Sequence, residues 1–413
     1  MGYNLKLGIL QDLDAELPYI TNIKDRYEHA YIIGKTGTGK SVLMERMANY
    51  DISQGISTIY IDPKGESCRR LYSLAPDKSK IKYISIKNPM VINPLNKEGY
   101  DIDDIIAEFV QILDILVTLT ASNPESTVLM REIIGMALRI FNKEQKNLSY
   151  LVNFLLYSDV RKVHIKDFPE NDRYKIYWRE FDATERNGYP RNKDKIESAK
   201  RVASRLLEIS EGKMKDIVQG DNELYIQDLV NKGESLLVDT SRMSRNSRIY
   251  LSNLIVYSVL SYCEYYEGDK KPLIVYVDEL KTIISPLFTE LLARSRGKKV
   301  GFVLAHQNIN QLTQSEVSGI MGNTKTYILF NCGLDEADKY APMFDVKPKD
   351  LFSLEKYHAW VRIGNKNTLV KTFKPLMETV PDLPEEFEKL KDGNLSPDEM
   401  VDHFFLSNDW IML

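Results

Sequence analysis

The chain has 413 residues, of which 43% are hydrophobic and 28% charged, and its formal net charge is −4 at pH 7. This length exceeds one compact core of about 100 to 200 residues, so we expect two domains or one core with a large insertion. The ordinary apolar fraction argues against disorder, and the weak net acidity argues against a protein coated with basic residues. Any contact with nucleic acid must therefore be local, in a groove or a pore lining.

Cysteine usage and hydropathy indicate the compartment. Cys68, Cys263 and Cys332 lie far apart and form neither a CxxC pair nor an even disulfide set, which favours a reducing cytoplasm. No signal-peptide pattern opens the chain. The longest charge-free stretch, 249–263, is shorter than the roughly twenty apolar residues that a membrane span needs, so it predicts a buried helix and no integral membrane segment.

Strand and helix patterns alternate in the first hundred residues. An apolar run at 31–33, a glycine-rich segment and the stretch 41–49 predict a strand, a turn and a helix. Further strands are predicted at 57–61 and 81–86, after which Asn-Pro pairs mark turns. We predict that residues 1–100 form the first part of a nucleotide-binding domain.

The pattern then becomes helical, which predicts an inserted all-helical subdomain at 101–225. Its stretch 167–195 is crowded with charges, Tyr and Pro, and is expected to be a surface excursion.

The alternation resumes in 226–375, the predicted second part of the nucleotide-binding domain. Strands are predicted at 235–238, 273–277, 300–304 and 326–330, and a hairpin at 359–363 and 369–372. Residues 376–413 form an acidic, proline-spotted C-terminal tail. Strands separated by helices imply a mostly parallel sheet with its ligand at the carboxyl ends. The predicted fold class is α/β, a RecA-like P-loop NTPase with a mostly parallel central sheet and an inserted all-α subdomain.

The glycine-rich segment is a complete P-loop pattern. It consists of Gly34, Lys35, Thr36, Gly37, Thr38, Gly39, Lys40 and Ser41. Its backbone amides and the following helix N-terminus suit the phosphates of ATP. Lys40 would reach the β and γ phosphates, and the Ser41 hydroxyl would ligate Mg²⁺. The alternative is an accidental glycine-rich turn.

Two further strands end in polar side chains. The run 273–277 ends at Asp278 and Glu279, which would hold Mg²⁺ through water and act as general base, respectively. The run 300–304 leads to His306 and Gln307, and Gln307 would contact the γ-phosphate or its water. The alternatives are a polar turn for the acidic pair and a strand cap for Gln307, while His306 is expected to pack or to hydrogen-bond.

Arginines recur at two places. The basic turn 294–299 contains Arg296, which in a ring would reach the γ-phosphate of the next subunit, or would simply be a solvated helix end. Arg242, Arg245 and Arg248 recur every three residues. They would contact a phosphate backbone, although an exposed basic helix start is the favoured interpretation.

With these residues in place, residues 28–345 resemble the coupling-protein ATPases of conjugation and type IV secretion, a branch of the FtsK/HerA-type motors. The resemblance is carried by IYIDPKGE at 59–66, INPL at 92–95, VYVDEL at 275–280 and AHQNINQL at 305–312, in addition to the P-loop. It implies a helical insertion between the two Walker motifs. It also implies that Arg296 is the finger that acts across the subunit boundary.

The resemblance further implies a hexameric ring that uses ATP to pump single- or double-stranded DNA through a central channel. Relaxosome or secretion-channel proteins would be partners. Coupling proteins usually begin with transmembrane helices, whereas this nucleotide core begins within the first thirty residues or so. We therefore expect a cytoplasmic protein, peripheral at the inner face of the cell membrane if a partner recruits it there, or a relative that packages viral or plasmid DNA.

Three other functions remain open. The same site would serve a type IV secretion ATPase that powers protein export or assembly, or a nucleotide-gated scaffold without meaningful turnover. Retention of Glu279 argues against the scaffold. A small-molecule kinase is the weakest alternative because no compact lid is recognisable.

Overall fold

The central feature of the fold is one large sheet. The structure, a computed structural model, describes residues 4–11, 17–97, 101–120, 127–283, 286–307, 312–384 and 387. Within these residues the strands are β1 (Asn4–Leu10), β2 (Pro18–Asn22), β3 (Ala30–Ile33), β4 (Ser57–Asp62), β5 (Ile81–Ile84), β6 (Ser235–Asp239), β7 (Leu273–Val277), β8 (Val300–His306), β9 (Thr326–Leu329), β10 (His358–Ile363) and β11 (Lys366–Lys371).

The strand order is β2-β1-β11-β10-β9-β3-β8-β7-β4-β6-β5. The run from β9 to β5 is parallel, and β10, β11, β1 and β2 add to it in antiparallel fashion. Strands β3, β4 and β7 are buried along their whole length, and the continuous apolar sequences of β3 and β7 are typical of a sheet covered on both faces. The predicted α/β class with a mostly parallel sheet is confirmed. Because β8 lies between β3 and β7, the carboxyl ends of these strands meet at one edge.

The helices fall into three groups along the chain. Before β5 come α1 (Ile23–Arg26), α2 (Lys40–Ser53) and α3 (Glu66–Leu74). Between β5 and β6 come α4 (Ile102–Thr120), α5 (Thr127–Leu138), α6 (Leu148–Leu156), α7 (Ser158–His164), α8 (Arg173–Phe181), α9 (Lys193–Ser210), α10 (Lys215–Val218) and α11 (Ile226–Lys232). The last group is α12 (Arg245–Tyr265), α13 (Pro286–Ser295), α14 (Gln314–Asn323), α15 (Leu334–Phe344) and α16 (Pro348–Phe352).

The helices between β5 and β6 share a hydrophobic core with one face of the sheet. Ile59 of β4, Phe109 of α4 and Leu206 of α9 belong to one continuous buried cluster. The helical block is therefore packed on the sheet, and the boundaries 101–225 of a separate subdomain stay a prediction.

Asn93 of the INPL motif joins the two ends of this helical block. Its amide nitrogen donates to the carbonyls of Lys146 at 2.9 Å and Gly220 at 3.0 Å, and its backbone N–H donates to the Asn222 side chain at 2.6 Å. Asn222 in turn donates to the carbonyl of Asn96 at 2.5 Å. Asn93 is buried, so these bonds fasten the start of the helical block to its α5–α6 connection and to its last part, near 220–222.

Three expectations about elements are decided here. The predicted surface excursion at 167–195 is largely exposed, and α8 within it buries one face, which carries Lys175, Trp178 and Phe181. The predicted buried helix at 249–263 is confirmed within α12. The hairpin of β1 and β2 was not predicted.

Among the helices within the described ranges, none combines the length and the apolarity that crossing a membrane requires.

Candidate nucleotide-binding site

The P-loop connects β3 to α2 and depends on its glycines. Gly37 and Gly39 have φ of 80° and 124°, in the region that side chains rarely adopt. A Cβ on Gly39 would also lie 3.0 Å from Cδ1 of Tyr357, so the loop and this ring are in close contact. The loop therefore has the open backbone that a phosphate cradle needs.

Lys40 begins α2 and lies inside this loop. Its ammonium donates to the carbonyls of Gly34 at 2.5 Å and Lys35 at 2.8 Å. Burial lowers the pKa of Lys40 to about 8, against the opposing influence of the carboxylates of Asp278 and Glu279. Lys40 thus lies within electrostatic range of both acidic residues at the tip of β7.

Asp278 contacts the P-loop helix directly. Burial, and then the nearby Asp62, raise the pKa of Asp278 to about 7, whereas a hydrogen bond with the Ser41 side chain and the cations Lys64 and Lys40 oppose the rise. The two predicted magnesium ligands, Ser41 and Asp278, are therefore in hydrogen-bonding contact.

Gln307 approaches the P-loop from the neighbouring strand. The Thr36 hydroxyl donates to Oε1 of Gln307 at 3.0 Å. Because β8 lies between β3 and β7, the tip of β8 places this amide beside both the P-loop and the acidic pair. An open cavity of about 250 Å³ is lined by Thr36, Lys40, Ser41, Asp278 and Gln307 among others.

His306, the last residue of β8, is buried, and its Nδ1 lies 3.4 Å from the Tyr31 hydroxyl. Its position is that of a packed, hydrogen-bonding histidine beside β3.

Arg296 does not join this cavity within the chain. It lies before β8, whereas Gln307 follows it, and a strand of that length separates the two by roughly 23 Å. The Arg296 guanidinium is exposed and donates to the carbonyl of Gly322 at 3.1 Å. Arg294 pairs with Glu264.

The arginines near α12 are not one helical face. Arg245 and Arg248 belong to α12, but Arg242 precedes its N-cap, Ser244. The helix begins after Arg242, and the exposed Arg245 at its first position fits the favoured interpretation of an exposed basic helix start. Arg242 instead lines a separate cleft with Arg69.

A family comparison identifies the chain. Residues 5–259 match the family model described as the central domain of the helicase HerA. The chain belongs to the HerA family. The expected relation to the FtsK/HerA-type motors is thus confirmed.

Solved structures show the fold of this HerA-family chain. The bacterial conjugative coupling protein TrwBdeltaN70 in its unbound form has a TM-score of 0.67 at 15% identity, with 92% of this chain and 91% of that chain covered. VirB4 of Thermoanaerobacter pseudethanolicus has a TM-score of 0.60 at 16% identity, with coverages of 90% and 96%. TrwB in complex with ADP and Mg²⁺ has a TM-score of 0.63 at 16% identity, with 87% of each chain covered. The fold is the RecA-like P-loop NTPase fold of these proteins.

One relative is similar in sequence. The uncharacterised protein YddE of Bacillus subtilis (strain 168) is 33% identical over 104 residues, which are 24% of this chain and 12% of YddE. The chain therefore matches a small part of that longer protein.

Lys64 is a cavity residue that the sequence reasoning did not select. It lines the same cavity, and it opposes the rise in the pKa of Asp278. Its backbone N–H donates to the fully buried Asp62 carboxylate at 2.8 Å, as do those of Ser67 at 2.8 Å and Cys68 at 3.2 Å. The DPKGE sequence, quoted only for its family resemblance, was the signal for this residue.

Gly65 completes the turn that holds Lys64. Its φ is 75°, and an added Cβ would lie 2.4 Å from the Asp239 carboxylate. Asp62 and Asp239 therefore surround a turn that only glycine fits.

Three other cavity residues also escaped the sequence reasoning. Lys356, Tyr357 and Pro375 line the cavity at the side of β10 and β11. They belong to no recognised motif, and they follow the P-loop by more than 300 residues, so no local signal linked them to it.

Proposed function

We propose that this HerA-family protein is an ATPase that assembles into a ring and uses hydrolysis to move DNA. The contacts of the P-loop with the tips of β7 and β8 carry this proposal. Ser41 meets Asp278, and Thr36 meets Gln307, so the groups that bind and cleave a nucleotide converge at one cavity.

The residues at the cavity fit a magnesium ion bound with a nucleotide. Mg²⁺ favours oxygen ligands and usually takes one or two from the protein, with water and phosphates supplying the others. Asp278 is partly buried, and burial and the nearby Asp62 raise its pKa, so a cation there would favour the charged carboxylate. Ser41 supplies the hydroxyl. TrwB, which has a similar fold, has been solved with ADP and Mg²⁺ and with a non-hydrolysable ATP analogue.

The chain's own residues divide the hydrolytic chemistry. Lys40 exchanges its bonds to loop carbonyls for phosphate oxygens and stabilises the negative charge that develops on them. Glu279 follows Asp278 at the tip of β7 and takes the proton of the attacking water. Gln307 binds near the terminal phosphate, and its bond with Thr36 changes when the phosphate leaves.

The position of Arg296 supports a ring. Its guanidinium is exposed and lies at the opposite end of β8 from the chain's own cavity. It can therefore stabilise a transition state only in a neighbouring subunit. Placing DNA in the ring rests on the HerA helicase family and on the coupling-protein fold.

The principal experiment measures ATP turnover without DNA, with single strands and with duplex, at several salt concentrations. We expect stimulation by DNA that weakens steeply with salt, because phosphate contacts release counterions. Glu279→Gln should bind ATP without cleaving it, and Glu267→Gln, at an exposed glutamate outside the cavity, is the matched control. Turnover that no DNA changes would refute the DNA motor and favour a protein-export ATPase.

Subunit mixing tests the ring and the arginine together. In a 1:1 mixture of Arg296→Ala and Glu279→Gln subunits, about a quarter of the interfaces combine an intact Glu279 with a neighbour's intact Arg296. We therefore expect the mixture of two inactive variants to regain part of the parent turnover. Arg294→Ala, at the end of α13 two residues before Arg296, is the control for Arg296→Ala. A mixture as inactive as its components would place Arg296 outside catalysis, and mass measurement with ATP should show a hexamer.

A further inference from the structure

The two ends of the nucleotide cavity differ in chemistry. Ser41, Asp278 and Gln307 lie towards β8 and β7, whereas Tyr357 and Pro375 lie on the other side of β3, towards β10 and β11. Since a P-loop lysine and its magnesium ligands take the β and γ phosphates, the nucleoside half of the ligand extends towards Tyr357 and Pro375.

The backbone of Tyr357 is strained and held in place on two sides. Its φ is 66°, a left-handed conformation that is strained for any residue other than glycine. Its N–H donates to the P-loop carbonyl of Thr38 at 2.9 Å, and its carbonyl accepts from the N–H and the hydroxyl of Thr372 at 2.7 and 3.0 Å. Such strain persists where the surroundings fix it, and it is concentrated at ligand sites.

The side chain of Tyr357 contacts the P-loop and lines the cavity. Its Cδ1 lies 3.0 Å from where a Cβ on Gly39 would be, so the ring rests against the loop. Among the described cations, only the Lys356 ammonium lies over the Tyr357 ring, 5.0 Å from the ring centroid. Lys356 is exposed and has a long side chain. A flat group can therefore replace the ammonium on the ring.

Pro375 is positioned independently from the P-loop helix. Arg46 of α2 donates from Nε to the carbonyl of Lys374 at 2.6 Å, and its guanidinium lies 4.9 Å from the centroid of the Phe373 ring. The same helix that begins with Lys40 thus fixes the residue next to Pro375. Tyr357 and Pro375 are both tied to the phosphate cradle.

We propose that Tyr357 and Pro375 form the nucleobase subsite, which holds a purine by ring stacking and apolar contact, with Lys356 at its rim. This inference rests on the proposed nucleotide binding. Among the described residues that line the cavity, Asp278 and Gln307 alone carry carboxylate or amide groups, and both lie at the phosphate end. No carboxylate or amide side chain among them can therefore hydrogen-bond to the edge of the base, so adenine and guanine bind with similar affinity.

Dissociation constants for Mg-ATP, Mg-GTP and Mg-tripolyphosphate test the subsite, because tripolyphosphate has phosphates but no base. Tyr357→Ala should weaken ATP and GTP binding alike by about tenfold or more and leave tripolyphosphate unchanged, since stacking on an aromatic ring is lost. Tyr357→Phe should retain parent affinity. Tyr189→Ala, at an exposed tyrosine outside the cavity, is the control.

Tyr357→Gly provides the second variant, because it removes the ring while relieving the left-handed backbone. It should reproduce the ligand selectivity of Tyr357→Ala. Equal weakening of tripolyphosphate would show that the ring only shapes the P-loop, and unchanged ATP affinity would place the base elsewhere; either result overturns the subsite. A parent that binds ATP but does not hydrolyse it would refute the motor and leave this test intact.

Discussion

His29 should make the stability of the protein depend on pH between 7 and 5. Its ring is fully buried, with Nε2 2.7 Å from the carbonyl of Leu292 and Nδ1 accepting the N–H of Phe302 at 3.1 Å. Burial, and then the charge of Arg296, lower its pKa from 6.5 to about 4, although the Leu292 carbonyl and Glu28 oppose this. The neutral ring therefore joins the last turn of α13 to β8 beside the P-loop strand.

The sign of the effect follows from the lowered pKa of His29. Below pH 6.5 His29 binds a proton in the unfolded chain, but in the folded chain it stays neutral until the pH nears 4. The stability that the neutral His29 contributes is therefore fully present above pH 6.5 and is lost as the pH falls towards 4. Between pH 7 and 5 the loss from this group is about 2 kcal/mol.

Urea unfolding of the parent and of His29→Asn at pH 7 and pH 5, followed by tryptophan fluorescence, measures this loss. Asparagine tolerates the left-handed φ of 63° and does not titrate. The parent should lose about 2 kcal/mol more than the variant over this interval, while all other titrating groups cancel. Equal losses in the two proteins would refute the assignment of a buried neutral imidazole.

Three further substitutions test the turn after β4 and the ends of the helical block. Asn93→Ala should lower the free energy of unfolding by about 2 to 3 kcal/mol, because it removes buried side-chain bonds, including the one that accepts the Leu95 N–H; an unchanged urea midpoint would contradict this. Lys64→Met should lower kcat by about 10- to 100-fold with little change in ATP affinity, because it removes a cation beside the phosphates. Steady-state kinetics measures this, with the charge-conserving Lys64→Arg as control. A kcat of Lys64→Met equal to that of the parent would contradict the prediction. Gly65→Ala should destabilise the fold by about 2 kcal/mol or more, because its Cβ would lie 2.4 Å from the Asp239 carboxylate at a φ of 75°; thermal unfolding like that of the parent would exclude this clash.

The phosphate end of the site was predictable because its groups are local in sequence. Ser41 begins a helix after an apolar strand, and Asp278 and Gln307 each follow directly on a buried strand. In a parallel sheet such strand ends share an edge, so pattern alone indicates that they meet. The roles assigned to these side chains stay predictions.

The nucleoside end was not predictable because its residues meet through long-range pairing. Tyr357 reaches the P-loop only because β10 pairs with β9, and Pro375 only because β11 pairs with β10. The hairpin of β1 and β2 was missed for a similar reason, since β1 pairs with β11 from the opposite end of the chain. The hairpin of β10 and β11 was predicted, but periodicity does not indicate that β10 pairs with β9 or that β11 pairs with β1.

Strand β8 has a mechanical consequence for the proposed ring. It carries Gln307 at one tip and the arginine turn at the other, and a hydrogen-bonded strand between two parallel neighbours resists compression. In each subunit β8 would then be a rigid connection between its own nucleotide cavity and that of the next subunit. Loss of a phosphate beside Gln307 would shift the arginine turn at the other end of β8, so ATP hydrolysis would proceed around the ring in one direction.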